Sequence, residues 1–80
     1  MNAAQEAQVL QLVVDLAGTE EVASERDVDL FEAGLLDSLG FVELLVALDN
    51  ELGLVVSPTE VDRDEVATVN KLLAFVDERL

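Results

Sequence analysis

Ser38-Leu39-Gly40-Phe41-Val42-Glu43-Leu44-Leu45-Val46-Ala47-Leu48-Asp49-Asn50-Glu51-Leu52-Gly53 is the stretch whose reading decides the fold. Phe41, Leu44, Leu45, Leu48 and Leu52 fall at i, i+3, i+4, i+7 and i+11, the spacing of one buried helical stripe. Asp37 or Ser38 is suited to cap the start, and Gly53 to end the helix. Leu39, Val42 and Val46 form a second apolar set on another face, with Glu43, Asp49 and Asn50 alongside. A helix in a small bundle needs one buried stripe. The first set is therefore expected inside, and the second partly exposed as an apolar strip with acidic neighbours, a pattern typical of docking surfaces. The alternative is a central helix buried on both sides. Docking is the preferred reading for Leu39, while for Val46 the two readings stand level.

Working outward, residues 19–37 read as a long loop. Its first part is charged, and its second part carries Leu30, Phe31, Leu35 and Leu36, which are expected to pin it to the helices. Gly34 marks a turn just before the Asp37-Ser38 step. Loops of this length inside a compact domain are uncommon and often functional. Before the loop, Val9, Leu12, Val13 and Leu16 give a helix from about Ala3 to Ala17, with Asn2 as cap and Gly18 as stop. After Gly53, Leu54-Val55-Val56 reads as an extended link. Ser57-Pro58-Thr59-Glu60 carries the signature of a capping box with proline at the first helical position, which predicts a short third helix ending near Glu65. Thr68 is the expected cap of a fourth helix, Val69 to about Arg79, with Val69, Leu72, Leu73, Val76 and Leu80 as its stripe. The expected fold is thus all-α, a four-helix bundle with a long loop between helices 1 and 2 and a short helix 3. Residues 1–80 read as one domain.

Composition narrows the function. The net charge is −14, from 18 acidic against four basic residues. That field repels nucleic acid and anionic lipid, and it speeds encounter with basic patches on partner proteins. No apolar run approaches membrane-spanning length, and Met1–Glu6 does not read as a signal peptide. The expected setting is cytoplasmic and the expected state a monomer. Histidine, cysteine, tyrosine and tryptophan are absent, so Ser-His-Asp and Cys-His catalysis is impossible and a thiolate metal site is excluded. Asp62-Arg63-Asp64-Glu65 resembles the opening of a calcium loop. The sixth and twelfth positions, which require glycine and glutamate, hold Ala67 and Leu73. That motif is rejected in favour of a solvated helix end. Neither catalytic residues nor metal ligands are expected, and the chain does not read as an enzyme.

Ser38 is the candidate functional residue. It stands where a loop ends and a helix begins, so its hydroxyl should be exposed at the positive end of a helix dipole. A serine so placed is often a plain cap. Its setting here, with the long loop, Gly34, Asp37-Ser38-Leu39 and an acidic, doubly apolar helix, points instead to a handle that another enzyme modifies. A phosphate there would meet helix N–H groups, and Asp37 beside it is a candidate ligand for the metal ion of a modifying enzyme.

Asp37-Ser38-Leu39 at the start of the second of four helices resembles the acyl and peptidyl carrier proteins, over nearly the whole chain. The resemblance implies covalent 4'-phosphopantetheine on Ser38, donated from coenzyme A by a phosphopantetheinyl transferase. It also implies a partner-docking face of Asp37, Leu39, Val42, Glu43 and Val46. Leu30 to Gly40, Val42-Glu43-Leu44-Leu45 and Glu60-Val61-Asp62-Arg63-Asp64 are similar to the D-alanyl carriers of teichoic-acid modification, although this chain has Phe41 where those carriers have a smaller residue. Free-standing carriers of the same subtype also hold an aminoacyl group for polyketide or peptide natural-product assembly. The expected role is therefore an aminoacyl or acyl thioester carrier in natural-product biosynthesis. It would shuttle between an adenylating enzyme and a downstream transferase or synthase, with D-alanyl transfer as the alternative. A rival from another class is a non-covalent acidic protein-interaction module, in which Ser38 is only a cap.

Overall fold

The protein is described for residues 1–80 by a computed structural model. Asn2 opens α1 (Ala3–Ala17) through a reciprocal box: its side chain accepts from the Gln5 N–H at 2.8 Å, and the Gln5 side chain accepts from the Asn2 N–H at 3.0 Å. These bonds satisfy two backbone donors that helix geometry leaves free. A single turn, α2 (Glu21–Ser24), follows. The long central helix α3 spans Ser38–Leu52 and is closed by Gly53 at φ 67°, a left-handed conformation that glycine adopts without steric cost. A 3-10 turn at Arg63–Val66 leads into α4 (Val69–Arg79), which is capped by Thr68 accepting from the Lys71 N–H at 3.0 Å. The architecture is all-α, with α1 packed against α3, α2 and α4.

The core is wholly apolar. Val9, Leu12 and Val13 of α1 meet Phe41, Leu44, Leu45 and Leu48 of α3 and Val69, Leu72, Phe75 and Val76 of α4. No polar or charged residue is buried. Stability therefore comes from burial of apolar area, and the charge is left to the surface. The connections supply Leu30, Leu36, Leu54, Val56 and Val61 to the same core. Leu54 and Val56 point in while Val55 points out, the alternation of an extended link.

Four details differ from the sequence expectation. The first loop contains α2, whose Val22 is buried, and a turn too short to show periodicity leaves no such signal in the sequence. Ser57 does not start a helix. It closes a turn in which its carbonyl accepts from the Glu60 N–H at 2.9 Å. Val61 then enters the core and Asp62 is extended, so helical geometry begins only at Arg63. Asp62-Arg63-Asp64-Glu65 is accordingly a helical start rather than a helical end, with the Glu65 side chain accepting from the Asp62 N–H at 2.9 Å. In α4, Phe75 fills the core position for which Leu73 and Leu80 compete in the sequence pattern. Leu73 lies half-buried on the flank and Leu80 is exposed beyond the last turn.

The loop before α3 is tied at both ends. Leu30 donates its N–H to the Ala67 carbonyl at 2.7 Å and receives the N–H groups of Leu35 and Leu36 at its own carbonyl. Asp29 Oδ1 accepts from the N–H groups of Phe31 and Glu32, and Gly34 turns the chain at φ 75°. Further back, Asn70 bonds the Arg26 carbonyl through its N–H and Asp27 Oδ1 through its amide. Residues 26–36 are thereby fastened to the segment around the start of α4, and Ser38 is delivered to a fixed place.

Candidate functional site

Asp37, not Ser38, caps α3. Asp37 is extended, at φ −117° and ψ −165°, and its Oδ1 accepts from the Gly40 N–H at 2.8 Å. Ser38 becomes the first helical residue, and its hydroxyl is free of capping duty. Gly40 packs closely at this start. A Cβ at that position would lie 3.2 Å from Leu36 Cδ2 and 3.3 Å from Leu36 Cβ, against a side chain already seated in the core. The N–H groups of Ser38 and Leu39 donate to no protein acceptor, so the positive end of the α3 dipole is open beside the exposed Ser38 hydroxyl.

A cation stands at the same place. Arg63, the first residue of the 3-10 turn, donates from Nη2 to Ser38 Oγ across 25 positions of sequence. Its guanidinium lies 5.4 Å from the Phe31 ring centre and 6.0 Å from that of Phe41. The two rings meet edge to face at 6.2 Å and 67°, one of the preferred aromatic arrangements. The sequence reading singled out Ser38 and Asp37 but passed over Arg63. An arginine among acids in a turn looks solvated, and no periodicity links two loops so far apart. The available clue was its rarity among 18 carboxylates.

The second apolar set of α3 is exposed. Leu39 is 64 %, Val42 40 % and Val46 54 % accessible, and Glu43 stands exposed among them. The doubly buried alternative for this helix, including Val46, is thereby excluded. Asp37, Ser38, Leu39, Val42, Glu43 and Val46 share one accessible surface running from the start of α3. The largest concavity on the molecule lies elsewhere, between α1 and α2 around Leu10, Val14 and Ala23.

Comparison with known proteins identifies the family. The family described as "Phosphopantetheine attachment site" matches residues 7–76. The chain belongs to that family, the phosphopantetheine-bearing acyl carriers. It is 43 % identical to the D-alanyl carrier protein of Abiotrophia defectiva over 75 residues, which cover 94 % of this chain and 95 % of that protein. It is 44 % identical over 71 residues to the D-alanyl carrier protein of Bacillus velezensis, covering 89 % and 91 %. It is 46 % identical over 71 residues to D-alanyl carrier protein 1 of Lactiplantibacillus plantarum, covering 89 % and 88 %.

The protein is therefore a carrier, not an enzyme, and its cofactor is covalent 4'-phosphopantetheine. A carrier interacts with a phosphopantetheinyl transferase and with acyl-handling enzymes. No helix is long and apolar enough to cross a membrane. The start of α3 fits a phosphodiester well: an accessible hydroxyl to esterify, open helix N–H groups and a guanidinium within hydrogen-bonding reach.

Proposed function

We propose that residues 1–80 act as one carrier domain, that Ser38 is the attachment residue, and that the cargo is D-alanine. What carries the cargo assignment is the series of D-alanyl carrier proteins at 41 to 46 % identity over most of the chain. This supports D-alanylation, as in teichoic-acid modification, over the natural-product assembly line. What supports Ser38 is its exposed hydroxyl at a helix start whose capping is done by Asp37.

In the priming reaction Ser38 Oγ attacks the phosphorus of coenzyme A that bears pantetheine. A new O–P ester bond forms as the bond to adenosine 3',5'-bisphosphate breaks. The serine proton passes to a base on the transferase, since this chain has no histidine. Asp37 holds the helix start open and offers its second carboxylate oxygen to the transferase's metal ion. The attached group supplies a terminal thiol that bears the aminoacyl cargo as a thioester.

The chain's own part in shuttling is docking. Leu39, Val42 and Val46 offer apolar contact and Glu43 a charge that fixes the pose, while the net charge of −14 steers partners in. The partners in this reading are an adenylating enzyme that activates the amino acid and a transferase that removes it. The chain acts as a monomer in the cytoplasm, where coenzyme A and ATP supply both reactions. Each docked complex must also dissociate, so its interface belongs to the small, transient class.

Intact mass after incubation with coenzyme A and a phosphopantetheinyl transferase tests the attachment, with wild type and Ser38→Ala side by side. Wild type alone should gain one phosphopantetheinyl group, and a D-alanine-activating ligase should then load it in preference to other amino acids. Gain by Ser38→Ala would move the site elsewhere. No gain by folded wild type would leave an acidic interaction module, and preference for another amino acid would return the natural-product role.

A further inference from the structure

The four side-chain cations of this protein are used in different ways. Arg26 pairs with Glu6 at 3.6 Å and Lys71 with Asp64 at 3.4 Å. Arg79 lies over the Phe75 ring at 3.8 Å. Arg63 has carboxylates on both sides of it in sequence, Asp62 and Asp64, yet pairs with none of them. It reaches across to a neutral serine hydroxyl, and its guanidinium is held above two phenylalanine rings.

A neutral hydroxyl is a poor partner for a guanidinium. An anionic oxygen adds charge attraction to the hydrogen bond, and the guanidinium fork matches phosphate oxygens in particular, frequently through two parallel bonds. The ring faces attract the cation and limit its side-chain freedom before any anion arrives. The open N–H groups of Ser38 and Leu39 lie at the same point and favour negative charge. Elsewhere the surface is strongly acidic, so an anion at Ser38 would be repelled without a local counter-charge.

Resting on the reading of Ser38 as the attachment residue, we propose that Arg63 is the phosphodiester-binding residue of this carrier. Its guanidinium exchanges the Ser38 hydroxyl for a phosphodiester oxygen once the serine is esterified. Modification then strengthens the link between the start of α3 and the 3-10 turn, which the Arg63–Ser38 hydrogen bond and the approach of Arg63 to Phe41 already make. Phe31 and Phe41 serve as the platform that keeps the guanidinium aimed. Arg63 is thus a cofactor-binding residue on an element distant in sequence from the attachment motif.

The test compares apo and phosphopantetheinylated forms of wild type, R63Q and R63K. Wild type should melt roughly 4 °C or more higher when modified, in low salt. In 1 M sodium chloride the gain should shrink, because the Debye length falls to about 3 Å, comparable with the contact itself. R63Q should show no gain, or a loss, since the added negative charge then meets only repulsion. R63K should keep part of the gain. The 31P resonance of modified wild type should differ from that of modified R63Q. An apo-to-holo shift in R63Q equal to that of wild type overturns the assignment of Arg63 and leaves the carrier reading standing. Failure of wild type to gain the group overturns the carrier reading itself. Should R63Q fail to fold or resist the transferase, the Arg63 side-chain N–H resonance of wild type decides: movement on modification supports the proposal, and an unchanged resonance sinks it.

Discussion

The inner and outer faces of α3 are built from the same kinds of side chain but meet different surroundings. Leu44 and Leu48 are fully inaccessible, while Leu39 and Val46 are more than half exposed. Hydrophobicity does not separate them. The inner stripe runs the length of the helix and finds Val9, Leu12 and Val13 of α1 opposite it. The outer stripe spans two turns, carries Glu43 within it and has no element of the fold across from it. Which stripe faces inward is thus settled by the availability of a partner surface in the same chain. The stripe left over is available to a surface on another.

Replacing a leucine on the inner face tests that contrast most severely. Leu48→Ala should lose about 2–5 kcal/mol in denaturant unfolding, a large share of the stability of a domain this size. A loss below 1 kcal/mol would erase the distinction between the faces. The helix start, where the faces meet, should respond less. Asp37→Ala removes the bond to the Gly40 N–H and should cost about 1 kcal/mol, whereas Ser38→Ala should leave the cap intact. Equal losses from the two would contradict the placement of the cap on Asp37. The smallest effect on stability belongs to the outer face. Val46→Ser and Glu43→Lys should each stay within about 0.5 kcal/mol of wild type, yet slow loading of the modified protein by the proposed D-alanine-activating ligase. Unchanged loading rates in both would remove the outer face as the docking surface.

The same contrast explains what the sequence made legible. The bounds Ala3–Ala17, Ser38–Leu52 and Val69–Arg79 follow from 3.6-residue periodicity and from local caps at Asn2, Gly18, Gly53 and Thr68. These signals act within a few residues of one another, so one sequence suffices to read them. Ser57-x-x-Glu60 misleads because a local capping signal yields to the burial of Val61 immediately after it, a tertiary demand. Phe75 displaces Leu73 and Leu80 because a stripe one position wide of the mark looks equally periodic until the facing helix is known. In the candidate site, Ser38 was legible from the helix start, and the apolar strip from the surplus of hydrophobic positions on α3. Arg63 was not, since its place beside Ser38 depends on how the loop through Leu30 is fastened to Ala67, far along the chain.

The length of the outer strip has a consequence for throughput. Leu39 and Val46 are seven residues apart, which on an α-helix is about 10 Å. Two enzymes docking on so short a strip could not occupy it together. Service would then be a queue: each client must leave before the next can read the cargo, and the slowest departure would set the pace of the whole relay. A client that gripped this strip too tightly would act as an inhibitor of all the others. Selection on Leu39, Val42 and Val46 would accordingly act on release rates as much as on affinity.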